Sequence, residues 1–191
     1  AFLATPVLAN ETSSTRVYAG VLAGYDSAEL EAFGQSGDKG NVAYAIFGGV
    51  EHDISDVVVF GAEAELGDSE VSIAANDAIY YGDRVKVSAG RDIYAGIKIG
   101  FRVAPPVTIY AKGGYTNVQI RGSYSIDSET YRGHVNNDGY RIGAGVEYGT
   151  GPIRFLAEYR FSDYGSVKVD GINTGIEARR SQVMAGVKYA F

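Results

Sequence analysis

The chain has 191 residues, a formal net charge of -6, 46% hydrophobic residues, 26 glycines and no cysteine. A hydrophobic content near one half excludes intrinsic disorder, because such a chain can bury enough apolar surface to offset its conformational entropy. The lack of cysteine excludes disulfides, thiolate catalysis and cysteine-ligated zinc, and an acidic chain without a basic tract is not expected to have nucleic acid as its main partner. No segment approaches the roughly 18 consecutive apolar residues of a spanning helix.

The first residues, 1–9, form an apolar segment in which Val7 and Ala9 frame a small-residue cleavage site. This pattern is typical of the end of a secretory signal peptide, and the alternative is a short N-terminal strand or arm. We therefore expect residues 1–9 to be a signal-peptide remnant of an exported protein and residues 10–191 to form the folded domain.

Alternation of apolar and polar residues with a period of two, which is typical of β-strands, recurs from residue 16 to the end of the chain. In chain order the segments that carry it are 16–26, 42–51, 57–66, 92–102, 107–116, 139–149, 153–161 and 182–191. Helical periodicity persists nowhere, so the chain is predicted to be all-β with eight strands.

The two faces of these segments differ sharply in polarity. One face is apolar throughout, as with Val17, Ala19 and Val21 in the first segment, and the other carries glycines and charges. A transmembrane barrel turns its apolar face toward lipid, whereas a soluble sheet turns its polar face toward water. The soluble alternative, a lipocalin-like binder, would have to enclose every apolar side chain, which eight strands could do only around a large ligand. The pattern favours a closed eight-stranded antiparallel up-and-down transmembrane barrel.

The charges on the second face are nearly balanced, as expected for a narrow interior in which desolvated charges must be paired. The residues predicted to form this ionic network in the lumen are Glu63, Glu65, Lys98, Arg102, Lys112, Arg141, Glu147, Arg154, Glu158, Arg160 and Lys188. Glu63 and Glu65 could instead be acid and base groups, but partners of lumen cations are the favoured interpretation. Glycines on this face are expected to leave room for the long charged side chains and to ease sheet curvature.

The connections alternate in length, as outer-membrane barrels require. Those around 52–56, 103–106 and 150–152 are short, and those around 27–41, 67–91, 117–138 and 162–181 are long. Because the long stretches keep some alternation, we expect strands to extend beyond the membrane below long extracellular loops. Aromatic residues at the strand ends, such as Tyr25 and Tyr148, are expected to form interfacial girdles.

Four segments carry a resemblance to a known family: TIYAKGGYT at 108–116, YRIGAGVEY at 140–148, FLAEYRFSDYG at 155–165 and QVMAGVKYAF at 182–191. They resemble the small outer-membrane β-barrels of Gram-negative bacteria related to opacity proteins, often described as porin-family proteins. The resemblance implies a location in the outer membrane and recognition of the C-terminal strand by the barrel-assembly machinery through Tyr189 and Phe191. It implies no shared catalytic residues.

Few residues point to chemistry. His52 lies in a short connection, and His134 lies in a long one near Asp127, Ser128 and Asp138, where a hydrolytic site is conceivable but unspecific. No ligand set resembles a metal site, and no cofactor is expected.

The basic residues in the long connections are candidates for contact with lipopolysaccharide phosphates, the alternative being a solvated loop surface. They include Arg84, Lys86, Arg91, Arg132, Arg179 and Arg180. The function expected is a structural and surface-interaction barrel with an ion-paired, plugged lumen, serving envelope integrity or adhesion to a host or surface ligand through its loops. A narrow channel for ions or small solutes is the alternative, and an outer-membrane enzyme acting through His134 is a third hypothesis.

Overall fold

The computed structural model describes residues 14–32, 35–69, 72–76, 84–126, 129–169 and 172–191. Its strands are β1 (Thr15–Ala32), β2 (Gln35–Asp53), β3 (Val58–Ser69), β4 (Ser72–Asn76), β5 (Arg84–Ala104), β6 (Val107–Ile126), β7 (Glu129–Tyr148), β8 (Ile153–Val169) and β9 (Ile172–Ala190). Within the described part of the chain no helix is long and apolar enough to cross a membrane. The predicted signal-peptide remnant at 1–9 lies outside the described residues.

The strands form one antiparallel sheet that closes on itself. Each strand pairs with its neighbours in sequence, and β1 pairs with β9 to join the two ends of the chain. β3 and β4 lie one after the other along β5, so the nine strands occupy eight positions around the barrel. The predicted closed eight-stranded up-and-down barrel is confirmed.

The register of the strands determines the shape of the barrel. Arg16 of β1 has a directly opposed partner on β2, which in turn has one on β3, and so on around the barrel. This series of partners returns to β1 at Asp26, ten residues further along the strand than Arg16. A stagger of this size tilts strands by about 40° from the axis, and eight strands leave an interior just wide enough for side chains. The interior is therefore a place where side chains from opposite walls can touch.

Large apolar side chains cover the outer surface. Val21, Ile46 and Ile97 are 51%, 60% and 57% exposed, whereas their neighbours Leu22, Phe47 and Lys98 point inward and are buried. So much exposed apolar surface is unfavourable in water and favourable against lipid tails. The predicted assignment of the apolar face to the outside is confirmed, with Tyr25 and Tyr148 exposed near opposite ends of the apolar band.

The connections follow the predicted alternation only in part. The short ones are confirmed at 54–57, 105–106 and 149–152. The expectation of long loops is wrong for most of the other side, because β6 runs to Ile126 and β7 already begins at Glu129, and β8 and β9 approach each other in the same way. Ladder pairing satisfies the backbone polar groups there, so the predicted strand extensions beyond the apolar band take the place of loops.

Candidate functional site

The interior of the barrel holds a balanced set of buried charges. The carboxylates are Asp26, Glu51, Glu63, Glu65, Asp92, Glu147 and Glu158, and the buried cations are Lys98, Lys112, Arg141, Arg160, Arg180 and Lys188. Arg154, with a side chain 16% exposed, adds a further cation. Each of these carboxylates forms at least one ion pair, which offsets the cost of removing it from water.

The lower layer, nearest the short turns, consists of Glu51, Glu147, Lys98, Lys188 and Arg154. The Nζ atom of Lys188 lies 2.9 Å from Glu51 and 2.7 Å from Glu147. The Nζ atom of Lys98 lies 3.4 Å and 3.0 Å from the same two carboxylates, and Arg154 lies within 3.8 Å of both. Two carboxylates thus share two lysines, which joins β2, β5, β7 and β9 across the lumen.

The middle layer consists of Glu63, Glu65, Glu158, Lys112 and Arg160. Lys112 lies 2.9 Å from Glu63 and 2.9 Å from Glu158, on opposite walls. Arg160 donates to both oxygens of Glu65, at 2.6 and 2.7 Å, and this side chain contact spans from β8 to β3. A charge-assisted contact with both oxygens fixes the positions of the two groups as well as stabilising them.

The upper layer consists of Asp26, Asp92, Arg141 and Arg180. Arg141 donates to Asp92 and lies 3.1 Å from Glu65, so it links the upper and middle layers. Arg180 lies 2.7 Å from Asp92 and 2.6 Å from Asp26. The upper and middle layers therefore form one network of ion pairs, and the lower layer forms a second group of ion pairs nearer the short turns.

The prediction that Arg180 contacts lipopolysaccharide is wrong. Its side chain is only 5% exposed and is held between Asp26 and Asp92 inside the lumen. The physical reason is strand parity: β9 continues outward beyond Gln182, and Arg180 lies on the same face as Gln182 and Lys188.

Tyrosine rings separate the layers. Tyr18 donates to Glu63 at 2.9 Å and Tyr110 donates to Glu158 at 2.8 Å, while Lys98 lies 4.7 Å and 5.3 Å from the two ring centroids. Each ring thus receives a cation–π contact from the lower layer and hydrogen-bonds the middle layer. Tyr94, between Lys112 at 5.2 Å and Arg141 at 5.5 Å, occupies the corresponding place below the upper layer. Sequence reasoning missed these tyrosines, although they share the parity of the lumen charges.

Several lumen glycines make room for these rings. Gly49 lies opposite Tyr18 and Gly145 opposite Tyr110, and a Cβ added at either would approach the ring within 2.8 Å. Gly143 borders charged side chains instead, with the Cγ of Lys112 at 3.5 Å from the added Cβ. The expectation that the glycines clear space for charged groups is thus incomplete, because aromatic rings take much of that space.

One sector of the lumen wall is apolar. Leu22, Phe47, Leu156 and Met184 are buried together with Tyr18. These residues belong to β1, β2, β8 and β9, so the ionic network is packed against a compact apolar patch rather than surrounded by charge. Such packing excludes water from the ion pairs and strengthens them.

The mouth at the short turns carries a further cluster beyond the lipid-facing part of β2, which ends at Val50, and Arg16 joins this cluster to Glu51 of the lower layer at 3.3 Å. Arg16 lies 2.6 Å from Asp53, and Arg102 also donates to Asp53. Hydrogen bonds from Arg16 lower the pKa of the Asp53 carboxyl to about 2. Arg102, predicted to belong to the interior network, lies at this mouth with its side chain 26% exposed.

The remaining predicted contact residues lie on the strand extensions. Arg91 is exposed, whereas Arg179 is 41% exposed and lies 3.8 Å from Asp163. Arg84, Lys86 and Arg132 are placed by register alone, on β5 and β7.

His134 is exposed and directly opposes Arg121 on β6. Its predicted partner Asp138 accepts hydrogen bonds from Tyr115 and Asn117, while Asp127 and Ser128 lie outside the described residues. His52, in contrast, bonds to the hydroxyl of Thr15 at 2.8 Å, at the other end of the barrel. Within the described ranges, no group of three or more histidines and carboxylates is placed to hold a metal ion.

The last two aromatic residues of the chain lie outside the barrel. The rings of Tyr189 and Phe191 pack edge to face with centroids 5.1 Å apart, and Phe191 is 70% exposed. The last strand therefore ends in an exposed aromatic pair on the outer surface of the barrel.

A closed barrel with an apolar exterior and charges paired inside is a transmembrane β-barrel of the outer-membrane type. In agreement, the whole sequence, residues 1–191, matches the model of the outer membrane protein beta-barrel domain family. The protein belongs to this family and resides in the bacterial outer membrane. None of the curated proteins matches the sequence significantly.

Solved structures of small outer-membrane proteins share the fold. Neisserial surface protein A has a TM-score of 0.58 and 19% identity over 92% of this chain and 97% of that chain. Ail, the attachment invasion locus protein of Yersinia pestis, in complex with the heparin analogue sucrose octasulfate, has a TM-score of 0.54 and 15% identity over 92% and 99%. The outer membrane protease OmpT of Escherichia coli has a TM-score of 0.58 and 13% identity over 92% and 97%. At these identities the similarity concerns the fold, and function has to be argued from the site.

Proposed function

We propose that the protein is a structural and surface-interacting barrel whose lumen is closed by ion pairs and does not conduct. The observation that carries this proposal is the pairing of every carboxylate that is buried among the described residues with a lysine or arginine, in layers that span the lumen. In the lower layer Glu147 and Lys188 join β7 to β9, and in the middle layer Glu65 and Arg160 connect opposite walls.

A continuous water path would require several of these contacts to break at once. Separating a buried pair leaves an uncompensated charge, which costs about 3–5 kcal/mol. Because Lys98 and Lys188 share the same two carboxylates, opening the lower layer would break four contacts rather than one. This coupling favours a closed barrel over a pore that opens briefly and repeatedly.

A narrow channel is the second candidate, and one observation favours it. Among the described residues, five buried polar atoms have no hydrogen-bond partner: the hydroxyl oxygens of Tyr94 and Tyr164, the amide nitrogens of Asn137 and Gln182, and the Nε of Arg154. Such groups indicate room for ordered water near the layers of ion pairs, Arg154 being in the lower one. Isolated waters do not make a pore, but a chain of them through all three layers would.

Solute flux through vesicles distinguishes the two candidates. Protein reconstituted in liposomes should give no more swelling with small sugars or amino acids than empty liposomes do. The variant Asp56→Asn, which changes an exposed residue of a short turn, is the matched control for reconstitution. Rapid, protein-dependent swelling would contradict the closed-lumen proposal and support the channel.

The proposed role is not enzymatic. The exposed His134 faces Arg121, and Asp138 is engaged by Tyr115 and Asn117, so this pair offers no oriented base for a nucleophile. Retention of every envelope phenotype by a His134→Ala strain supports this assignment, and loss of a hydrolytic activity in that strain would overturn it.

The surface role rests on the strand extensions. They project past the apolar band on the side away from the short turns, which is the side that long connections occupy in outer-membrane barrels. We place attachment to a host or surface ligand on these extensions, a role of the kind that the name of Ail states for that protein. Cell binding that persists after protease removes the extensions would contradict it.

Assembly is proposed to depend on the last strand. The exposed ring pair of Tyr189 and Phe191 gives the barrel-assembly machinery an aromatic end to bind. The variant Phe191→Ala tests this proposal, because it removes one ring of the pair and should lower the amount of barrel in the outer membrane.

A further inference from the structure

Three arginines lie at the end of the barrel nearest the short turns: Arg16 on β1, Arg102 on β5 and Arg154 on β8. All three side chains are partly exposed. Residues next to them in sequence face lipid and are each more than half exposed, namely Val17, Val103 and Ile153. Because side chains alternate along a strand, the arginines point toward the barrel axis and are open to the solution at its end. We name these three residues the arginine mouth.

Two of these arginines share one carboxylate. Arg16 donates to both oxygens of Asp53, at 2.6 and 2.8 Å, and Arg102 donates to one of the same oxygens. Arg102 also donates to the backbone oxygen of Asp56 rather than to its carboxylate. Asp53 therefore has to compensate two positive charges.

Arg154 has weaker contacts with carboxylates than the lysines beside it. Its guanidinium lies 3.6 Å from Glu147 and 3.8 Å from Glu51, beyond hydrogen-bond distance. Both carboxylates already accept hydrogen bonds from Lys98 and Lys188, at 2.9–3.4 Å. The Nε of Arg154 is buried without a hydrogen-bond partner among the described residues. Arg154 is thus a cation added to two carboxylates that other cations hold.

Cations exceed carboxylates around the lower layer and the mouth. The described residues supply five cations there, Arg16, Lys98, Arg102, Arg154 and Lys188, and four carboxylates, Glu51, Asp53, Asp56 and Glu147. The middle and upper layers have the reverse, with Lys112, Arg141, Arg160 and Arg180 facing Asp26, Glu63, Glu65, Asp92 and Glu158. Tyrosine rings separate the two regions, so the surplus cation lies at the accessible end of the lumen.

An oxyanion would complete this arrangement. A buried N–H without an acceptor is unfavourable, and an ordered water would satisfy the hydrogen bond but not the charge. Carboxylate and phosphate groups satisfy both, since their oxygens match the planar fork of arginine. Arg16 and Arg154 approach the same oxygen of Glu51, at 3.3 and 3.8 Å, so an anion at Arg154 also experiences the charge of a second guanidinium.

We infer that the arginine mouth binds a soluble oxyanion, a carboxylate or phosphate group, that approaches along the barrel axis from the periplasm, with Arg154 as its main contact. The short turns of outer-membrane barrels lie on the periplasmic side. The inference does not depend on a closed lumen, because the mouth is open at the short turns whether or not solutes pass through the layers above it.

The phosphate headgroup of an inner-leaflet lipid has the same chemistry. It is disfavoured because the arginines point toward the barrel axis, whereas apolar side chains such as Val17 and Ile153 occupy the lipid-facing side at this height. An experiment with soluble anions and with an anionic lipid therefore distinguishes the two sources of phosphate.

The test follows backbone amide resonances of the short turns by nuclear magnetic resonance, with the full chain folded in micelles of an uncharged maltoside detergent. Inorganic phosphate, succinate or chloride is added at constant ionic strength, and in a separate series the micelles contain phosphatidylglycerol. Phosphate and succinate should produce saturable shifts that chloride does not. Arg154→Gln should weaken the binding of both by roughly tenfold or more, because charge-assisted hydrogen bonds are lost. Arg121→Gln, which removes an exposed cation at the other end of the barrel, is the matched control and should bind like the parent protein.

Three results would overturn the inference: equal affinity of Arg154→Gln and the parent protein, the same shifts with chloride as with phosphate, or shifts that appear only with phosphatidylglycerol. Arg154→Gln leaves Glu51 and Glu147 paired with Lys98 and Lys188, so we expect it to fold. The heat-dependent gel shift of a folded barrel and far-ultraviolet circular dichroism verify this. If it does not fold, Arg154→Lys, which keeps the charge and loses the planar fork, takes its place and should weaken phosphate binding several-fold; unchanged binding would again overturn the inference.

Discussion

Neutralising Glu65 is the perturbation that bears most directly on the middle layer. Glu65 accepts from Arg160 at 2.6 Å and from Arg141 at 3.1 Å, and Lys112 lies 3.7 Å away. Glu65→Gln keeps the shape of the side chain and removes its charge, leaving three buried cations with one carboxylate fewer. Removing one partner of a buried pair costs about 3–5 kcal/mol, because the other charge stays buried.

The assay is urea-induced unfolding of the protein in lipid vesicles, followed by circular dichroism because the chain has no tryptophan. The unfolding free energy of Glu65→Gln should fall by about 3–5 kcal/mol, and that of the exposed control Asp56→Asn by less than about 0.5 kcal/mol. Adding Arg160→Gln to Glu65→Gln should cost less than the sum of the two single changes, with a coupling energy of about 0.5–3 kcal/mol. Additive effects, or a Glu65→Gln protein as stable as the parent, would refute the claim that this network holds the barrel together.

Three further predictions concern packing, pH and assembly. Gly145→Ala places a Cβ 2.6 Å from the ring of Tyr110 and should lower the unfolding free energy by about 1–3 kcal/mol. The control Gly122→Ala, whose Cβ would meet nothing within 4 Å, should leave the unfolding free energy unchanged. Equal effects of the two substitutions would contradict the packing argument. The lowered pKa of Asp53 means that its stabilising effect is present above its unfolded pKa of about 3.9 and is lost as the pH falls toward 2. Because this mouth is partly exposed, we expect the unfolding free energy to fall by only about 1 kcal/mol over that pH range. This fall should be absent in Asp53→Asn. A variant whose stability depends on pH as that of the parent protein does would contradict the prediction. Phe191→Ala should reduce the amount of barrel in the outer membrane several-fold while leaving refolding in detergent unchanged, and normal amounts in the membrane would argue against its role in assembly.

Strand parity explains how much of the fold could be predicted from the sequence. Because side chains alternate with a period of two, residues such as Lys98 and Glu147 could be assigned to the interior without a structure. Arg180 was missed because the last strand was expected to begin at residue 182, although the same parity continues from Lys188 outward to Arg180. The parity of β9 therefore places Arg180 in the lumen.

The contacts across the lumen could not be predicted in the same way. Which cation meets which carboxylate depends on the stagger of the strands around the closed barrel, and that stagger is a property of the whole sheet. The contact between Glu65 and Arg160 joins residues 95 positions apart in the chain. The rings of Tyr18 and Tyr110 were missed for a related reason, because their opposed glycines are identified only once the register is known.

Single-channel recording in planar bilayers tests the central claim most directly, since it detects even rare openings of the lumen. With concentrated potassium chloride on both sides, the ion-paired interior predicts no steady openings above the bare bilayer after insertion of folded protein. Reproducible unitary openings that scale with the amount of protein inserted, and that change size in Glu65→Gln, would contradict it and show that ions pass through the network.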